Sequence, residues 1–337
     1  MTDRAASITA FLSGCGWGNA ARSFLAGDAS ARRYERLTLD GKSAVLMDAP
    51  PEEGEDTESF VRIADHLLSI GLSAPRILAQ DIASGLLLIE DLGDGIYARL
   101  IERRPELEEP LYKAAVEVLA QIERNDPPPA LSNLTAADWA GAAAFALDWY
   151  RFAITGDRMD TSPFRKVLTE TLQHHADAPR VMILRDYHAE NLLWLPDRRG
   201  VARVGVLDFQ LAQLGQPGYD LVSLLQDARR DTGQGIEQTM IRYYLSLTGR
   251  AEGGFGPAYA ALGAQRALRI LGIFARLSLV GGKPGYVDKI PRVWSQLQRN
   301  LEQPELAALA AICRETLPAP TPERLERIRA KCGHHAP

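Results

Sequence analysis

The hydrophobic period changes once along this 337-residue chain, and that change limits the folds open to it. From Ser23 to Glu90 the segments "RSFLAG", "RRYERLTL" and "KSAVLMDA" alternate or run apolar, and Asp40-Gly41 supplies a hairpin turn between the second and third. A small antiparallel sheet is expected. Between its third and fourth strands, Phe60, Ile63, Ala64, Leu67 and Leu68 mark one face of a helix that Asp56 or Thr57 can cap and Gly71 can end. "GLLLIEDLGDG" then runs from a buried strand into glycines, and the period turns helical from Leu107, Leu111, Ala114, Val118, Leu119 and Ile122 onward. The expected class is α+β. Residues 1–93 form the small sheet with one helix, and residues 94–337 form a larger, mostly helical part. "NDPPPALSN" is a loop between helices, and from about Gly218 to Cys332 the helical pattern is broken at Gly253-Gly254 and Gly281-Gly282.

Composition removes several classes of function. At 46% hydrophobic and 24% charged the chain is a soluble globular protein, and a net charge of -5 argues against a broad nucleic-acid surface. Cys15, Cys313 and Cys332 are too few and too widely spaced for a disulfide framework or a zinc site. No stretch offers about 18 uninterrupted apolar residues for a membrane span, and the first residues lack a signal-peptide pattern. A reducing cytoplasm is the expected location.

The chemistry is concentrated in two apolar segments, "LRDYHAENLLWL" (Leu184 to Leu195) and "VGVLDFQLAQ" (Val204 to Gln213). A carboxylate in such surroundings is costly unless something pairs with it, and a bound metal would do so. The spacing Asp186 to Asn191 is that of the kinase catalytic loop, where Asp takes the acceptor's proton and Asn binds magnesium. Asp208, 22 residues beyond Asp186, ends an apolar strand as "DFQ", where kinases write the metal-binding "DFG". Phosphoryl transfer requires such a trio because it depends on positioning and charge neutralisation more than on covalent catalysis. Read as plain turn caps, Asp186 and Asp208 would need no ion.

With these motifs the chain resembles the aminoglycoside phosphotransferase and choline kinase superfamily, whose fold is a protein-kinase-like pair of lobes. Within it, the chain is most similar to the bacterial anomeric amino-sugar kinases of cell-wall recycling. The resemblance rests on "GDASARRY" (Gly27 to Tyr34), "VLMDAPP" (Val45 to Pro51), "LLIEDLGD" (Leu87 to Asp94), "LDWY" (Leu147 to Tyr150), "RDYHAENLL", "DFQ" and "GYDLVSLL" (Gly218 to Leu225), in that order. It implies ATP-dependent phosphorylation of the C1 hydroxyl of N-acetylmuramate and N-acetylglucosamine with Mg2+. The product would pass to a sugar-1-phosphate nucleotidyltransferase. Asp186 would be the base, and Asn191 and Asp208 the magnesium ligands. Glu90, Asp91 and Leu92 would form the hinge that meets adenine, and Asp220 would support the catalytic loop, unless it is a simple helix cap.

Two departures from the wider kinase pattern stand out: Leu184 replaces the usual His before Arg-Asp, and Met47 stands where a strand lysine would hold the phosphates. Arg32 and Arg33, after the turn Gly27-Asp28-Ala29-Ser30, are the candidates to supply that charge, the alternative being a solvated strand edge. For the acceptor sugar the candidates are Tyr187, His188, Trp149, Tyr150 and Arg151, since aromatic faces suit a sugar ring and an arginine suits a lactyl carboxylate. Core packing is the competing reading for Trp149 and Tyr150. An aminoglycoside or choline kinase, or a non-catalytic nucleotide-binding module permitted by the absent lysine, remain alternatives. "GCGWG" (Gly14 to Gly18) is read as a turn after an opening helix, "KCGHH" as a frayed tail and His174-His175 as a helix-terminus pair.

Overall fold

The computed structural model describes residues 4–27, 32–54, 56–233 and 235–334. The chain divides into two compact units, residues 1–130 with 189–212, and residues 131–188 with 213–337.

The first unit is built on a five-stranded antiparallel sheet, in the order β1 (Ala21–Gly27), β2 (Arg33–Leu39), β3 (Lys42–Asp48), β5 (Leu86–Glu90), β4 (Ile77–Asp81). Asp40, with φ +50°, and Gly41, with φ +76°, make the tight turn joining β2 to β3. Strand pleating sorts the side chains. Leu37, Ala44, Leu46, Leu86 and Leu88 face α1 (Arg4–Gly14), which buries Ile8 and Leu12 against them. Their neighbours Val45, Met47, Leu87 and Ile89 are also buried, with Val45 opposite Ile89 and Met47 opposite Leu87 in register. The helix expected between strands is α2 (Thr57–Ser69), capped by Asp56, whose carboxylate accepts the Ser59 N–H at 2.9 Å. The opening helix expected before "GCGWG" is α1, which packs on the sheet; the fifth strand, β4, goes beyond the sequence reading. β4 is only partly buried, and Leu78 is 51% exposed, so its residues carry little hydrophobic alternation.

The same unit contains α3 (Tyr97–Arg103), α4 (Glu108–Glu123) and a hairpin of β7 (Leu192–Trp194) and β8 (Val204–Val206). Gly205 on β8 lies under Leu92, Leu193 and Leu195. A Cβ there would come within 3.1 Å of Leu92 Cδ1, so a larger residue would have to shift the Leu92 side chain by a few tenths of an ångström.

The second unit is helical apart from a two-stranded ladder of β6 (Val181–Ile183) and β9 (Gln213–Gly215). Its helices are α5 (Ala136–Ala143), α6 (Phe152–Thr155), α7 (Ser162–His175), α8 (Tyr219–Leu225), α9 (Ile236–Thr248), α10 (Glu252–Leu279), α11 (Ile290–Leu301), α12 (Ala307–Thr316) and α13 (Pro322–Ala330). α10 runs the length of the core and buries Leu262, Leu268, Leu271 and Ala275. The helical pattern does not break at Gly253-Gly254, as the sequence reading expected; both lie in the first turn of α10, where amide groups have no intrahelical partner in any case, and the break falls at Gly249, the left-handed C-cap of α9. No helix among the described residues is long and apolar enough to cross a membrane.

Candidate active site

In the second unit, the segment bearing Asp186 follows β6 and is fixed from below by α8. Asp220, in the first turn of α8, accepts the backbone N–H groups of Leu184 at 2.6 Å and Arg185 at 2.9 Å. One turn later, the Ser223 hydroxyl donates to the Arg185 carbonyl at 3.1 Å, and Arg266 Nη2 on α10 donates to Ser223 Oγ at 2.9 Å. These contacts hold Arg185 at φ +73°, a left-handed conformation that a non-glycine residue keeps only when its neighbours enforce it. Asp220 is therefore no helix cap, since α8 starts after Gly218 without a side-chain cap: both its oxygens hold the loop.

Burial pushes the Asp220 carboxyl up to about 7, with the Asp186 charge adding to the rise, while the two loop amides and Arg266 oppose it. A group raised in this way holds its proton more tightly in the folded than in the unfolded chain. Its contribution to stability is thus full below the ordinary carboxylate range and is lost as pH rises through about 7. The loop needs the opposite state, since protonation removes one of the two acceptors. Turnover is expected to fall as pH drops through about 7, while the melting temperature rises over the same interval. Asp220→Asn should lose both trends. A pH-rate profile and melting curves of the two proteins check this, and an unchanged acid limb in the variant would assign the limb to another group.

In the first unit, the hairpin of β7 and β8 brings Asn191 and Asp208 together. Leu207 N–H donates to the Asn191 carbonyl at 2.9 Å, and Asn191 Nδ2 lies 3.4 Å from Asp208 Oδ2. Asp208 has φ +57° and is partly exposed. Arg32 Nη2 approaches Asp208 Oδ1 at 3.5 Å, and the Gln210 amide donates to the same oxygen at 2.7 Å. The next residue, Phe209, is fully buried, its ring 4.9 Å from that of Phe60, which ties the segment to α2. The donor set fits a hard cation such as magnesium, having a carboxylate and an amide oxygen and little else. Among the described residues no group of three His, Cys, Asp or Glu could hold a metal unaided.

The two candidate arginines separate. Arg32 is 8% exposed and turned to Asp208, whereas Arg33, opposite Gly27 and Asp48 in register, is exposed. Gly27 ends β1; Asp28, Ala29 and Ser30 lie outside the described residues. Met47 is 1% exposed and stands opposite Tyr34 on β2, where a lysine would require a partner for its charge. At the end of β5, Glu90 receives Arg198 Nη2 at 2.5 Å, and its own N–H donates to the Arg76 carbonyl. Arg36 pairs with Asp91 at 2.8 Å and Asp94 at 2.9 Å. Asp91 and Leu92 also border a pocket of about 580 Å³ shared with Trp194 and Arg198.

Of the acceptor candidates, Tyr187 and His188 flank Asp186 along the chain but are buried, at 1% and 3% exposure. Tyr150 is a core residue whose hydroxyl donates to the Pro318 carbonyl at 2.6 Å, on a π-helical turn that also carries Trp149 and Arg151. The Arg276 guanidinium lies over the Trp149 ring at 5.7 Å, and Arg151 Nη1 donates to the Asp157 carbonyl at 2.7 Å. Sequence reasoning missed Gln210, Ser223 and Arg266. Only Gln210 left a visible sign, in the replacement of the last residue of "DFG".

A family model for the phosphotransferase enzyme family, that of the aminoglycoside phosphotransferases, matches residues 22–260, and the chain belongs to that family. Among its curated relatives, the N-acetylmuramate/N-acetylglucosamine kinase of Caulobacter vibrioides is 40% identical, covering 92% of this chain and 96% of the relative. A protein of the same name from Pseudomonas aeruginosa is 31% identical, with 88% and 90% covered. Solved structures share the fold at lower identity. A thermostable mutant of an aminoglycoside phosphotransferase, in ternary complex with ADP and hygromycin B, gives a TM-score of 0.58 at 17% identity, covering 88% of this chain and 98% of its own. A microcompartment-associated aminopropanol kinase gives 0.60 at 13%, covering 90% and 99%.

Proposed function

We propose that this protein is a cytoplasmic, ATP-dependent kinase that phosphorylates the anomeric hydroxyl of N-acetylmuramate and N-acetylglucosamine in cell-wall sugar recycling. The observation that carries the reading is 40% identity to a kinase of that name over 92% of the chain, which includes both clamped segments. In this reading the sugar's C1 oxygen attacks the γ-phosphorus of ATP as the bond to ADP breaks, and Asp186 takes the hydroxyl proton. Asn191 and Asp208 hold magnesium, which when bound neutralises phosphate charge. Arg32 supplies positive charge in place of the strand lysine, and Asp220 keeps Asp186 in position. Gly27, Asp28, Ala29 and Ser30 serve the phosphates, and the backbone of Glu90 to Leu92 meets adenine. Residues 1–93 serve the nucleotide and residues 94–337 the chemistry and the sugar, with Tyr187, His188, Trp149 and Arg151 around the acceptor and Tyr150 a core residue. The sugar 1-phosphate is a ready substrate for a nucleotidyltransferase.

The test is transfer of label from γ-labelled ATP, with magnesium, to N-acetylmuramate, N-acetylglucosamine, kanamycin or choline offered in parallel. Label on the two sugars and release of that label by mild acid, as an anomeric phosphate requires, is the expected result. Label on kanamycin or choline alone would make it a cation kinase, and label on none would favour a nucleotide-binding module without catalysis. The metal ligands should also differ in strength. Asp208→Ala is expected to raise the magnesium concentration for half-maximal activity more than Asn191→Ala, because a carboxylate meets a divalent ion with a full charge and an amide with a dipole. Magnesium titrations of both variants check the order, and equal shifts would contradict it.

A further inference from the structure

Immediately after α8, the segment Gln226-Asp227-Ala228-Arg229 is held more firmly than any catalytic contact so far described requires. Three consecutive carbonyls are each taken by a side chain from a distant helix: Gln226 O accepts from Arg266 Nη1 at 3.3 Å, Asp227 O from Gln296 Nε2 at 3.1 Å and Ala228 O from Arg292 Nη1 at 3.3 Å. The Gln226 and Asn300 side chains exchange amide hydrogen bonds at 3.0 and 2.8 Å. Such a network fixes the backbone in one conformation.

What this rigid segment presents is an incompletely satisfied ion pair. The Asp227 side chain is fully buried. Its Oδ1 accepts the Arg229 N–H at 2.9 Å and lies 3.7 Å from Arg229 Nη1, while its Oδ2 is buried with no hydrogen-bond partner among the described residues. A buried carboxylate this sparsely partnered is expensive, and the Arg229 cation beside it offsets part of that cost and is held in place by it. The Arg229 guanidinium makes no hydrogen bond among the described residues, and its side chain is 34% exposed. Asp227 holds the cation at the end of the helix whose other end, through Asp220 and Ser223, holds the loop of Asp186. Arg229 and the catalytic loop are also in electrostatic reach of each other. The pKa of His188, two residues past Asp186, is lowered first by burial and then by Arg229 and Arg266.

The two sugars of the proposed reaction differ by one charged group, the lactyl carboxylate of N-acetylmuramate. We propose that Arg229, aimed by Asp227, binds that carboxylate and sets the preference between the two sugars; the inference rests on the sugar-kinase reading above. A guanidinium fork meets a carboxylate through two parallel N–H donors, which an ammonium does not reproduce. Arg151, the arginine favoured by sequence, is occupied at its own helix end by the Asp157 carbonyl and Thr155 Oγ1.

The experiment compares kcat/KM for N-acetylmuramate and N-acetylglucosamine in the wild type, Arg229→Ala and Arg229→Lys, with the methyl ester of N-acetylmuramate as a third acceptor. The ratio of muramate to glucosamine is expected to fall about 30-fold in Arg229→Ala, the loss of one charge-assisted contact, and by less in Arg229→Lys. The wild type should prefer the free acid to its ester, and Arg229→Ala should show no such preference. An equal fall for both sugars, a rise in the ATP Michaelis constant alone, or an unchanged acid-to-ester preference would overturn the assignment while leaving the sugar-kinase reading intact. A wild type that phosphorylates neither sugar would overturn both.

Discussion

Asp186→Asn is expected to lower turnover about a thousandfold while ATP with magnesium still binds within about twofold of the wild type, because a positioned base contributes on this scale and acts on the acceptor hydroxyl, not the nucleotide. The substitution is isosteric, and the contacts that shape the loop, from Asp220 to Leu184 and Arg185 and from Ser223 to Arg185, involve backbone atoms that it leaves alone. The variant should also be no less stable. The Asp186 charge raises the pKa of Asp220, so removing it favours the ionised carboxylate that grips the loop. Calorimetric titration of nucleotide, a melting curve and single-turnover kinetics separate the possibilities. A variant retaining more than about a tenth of wild-type turnover, a barrier change under about 1.4 kcal/mol, would mean that Asp186 is not the base. Loss of nucleotide binding would instead assign it to the metal.

The parts of this protein that sequence made legible are those set by local rules. The Asp40-Gly41 turn, the alternation through β2 and β3, the Asp56 cap and the apolar face of α2 follow from neighbours within a few residues. The Asn191 and Asp208 pair was legible too, because the hairpin that joins them is itself local. What escaped was fixed by tertiary contact. β4 is held by pairing with β5 and has little pattern of its own. The first turn of α10 tolerates Gly253 and Gly254 because the rest of the helix is buried. Tyr150 reads equally well as a sugar platform or as core until its hydroxyl is found on Pro318. Asp227 and Arg229 look like an ordinary charged loop in the sequence. Their setting emerges only when Arg266, Gln296 and Arg292, from two later helices, arrive on the same three carbonyls.

Arg32→Ala is expected to lower kcat/KM for ATP by about 10- to 100-fold, the worth of a charge-assisted hydrogen bond, with part of the loss in turnover. The strand position that carries lysine in most kinases holds Met47, and a fully buried thioether opposite Tyr34 and Leu87 brings no charge to a nucleotide. Positive charge must therefore come from another direction. Arg32 is a cation in contact with Asp208, at 3.5 Å, and it stands just ahead of β2, not on β3. A guanidinium beside that carboxylate is a suitable bidentate partner for phosphate. Arg33 points to solvent, so Arg33→Ala should stay within about twofold of wild type, an exposed charge being worth little. Met47→Ala should cost about 2 to 4 kcal/mol of stability through the cavity it leaves, with a much smaller effect on the ATP Michaelis constant. Met47→Lys would not repair Arg32→Ala, since an ammonium at that depth has no partner and would lose its proton or distort the strand. The three alanine variants, compared at saturating sugar and varied ATP alongside urea denaturation, decide the matter. If Arg32→Ala resembles wild type in ATP kinetics, the phosphate charge is met elsewhere and the assignment of Gly27 to Ser30 to the phosphates falls with it.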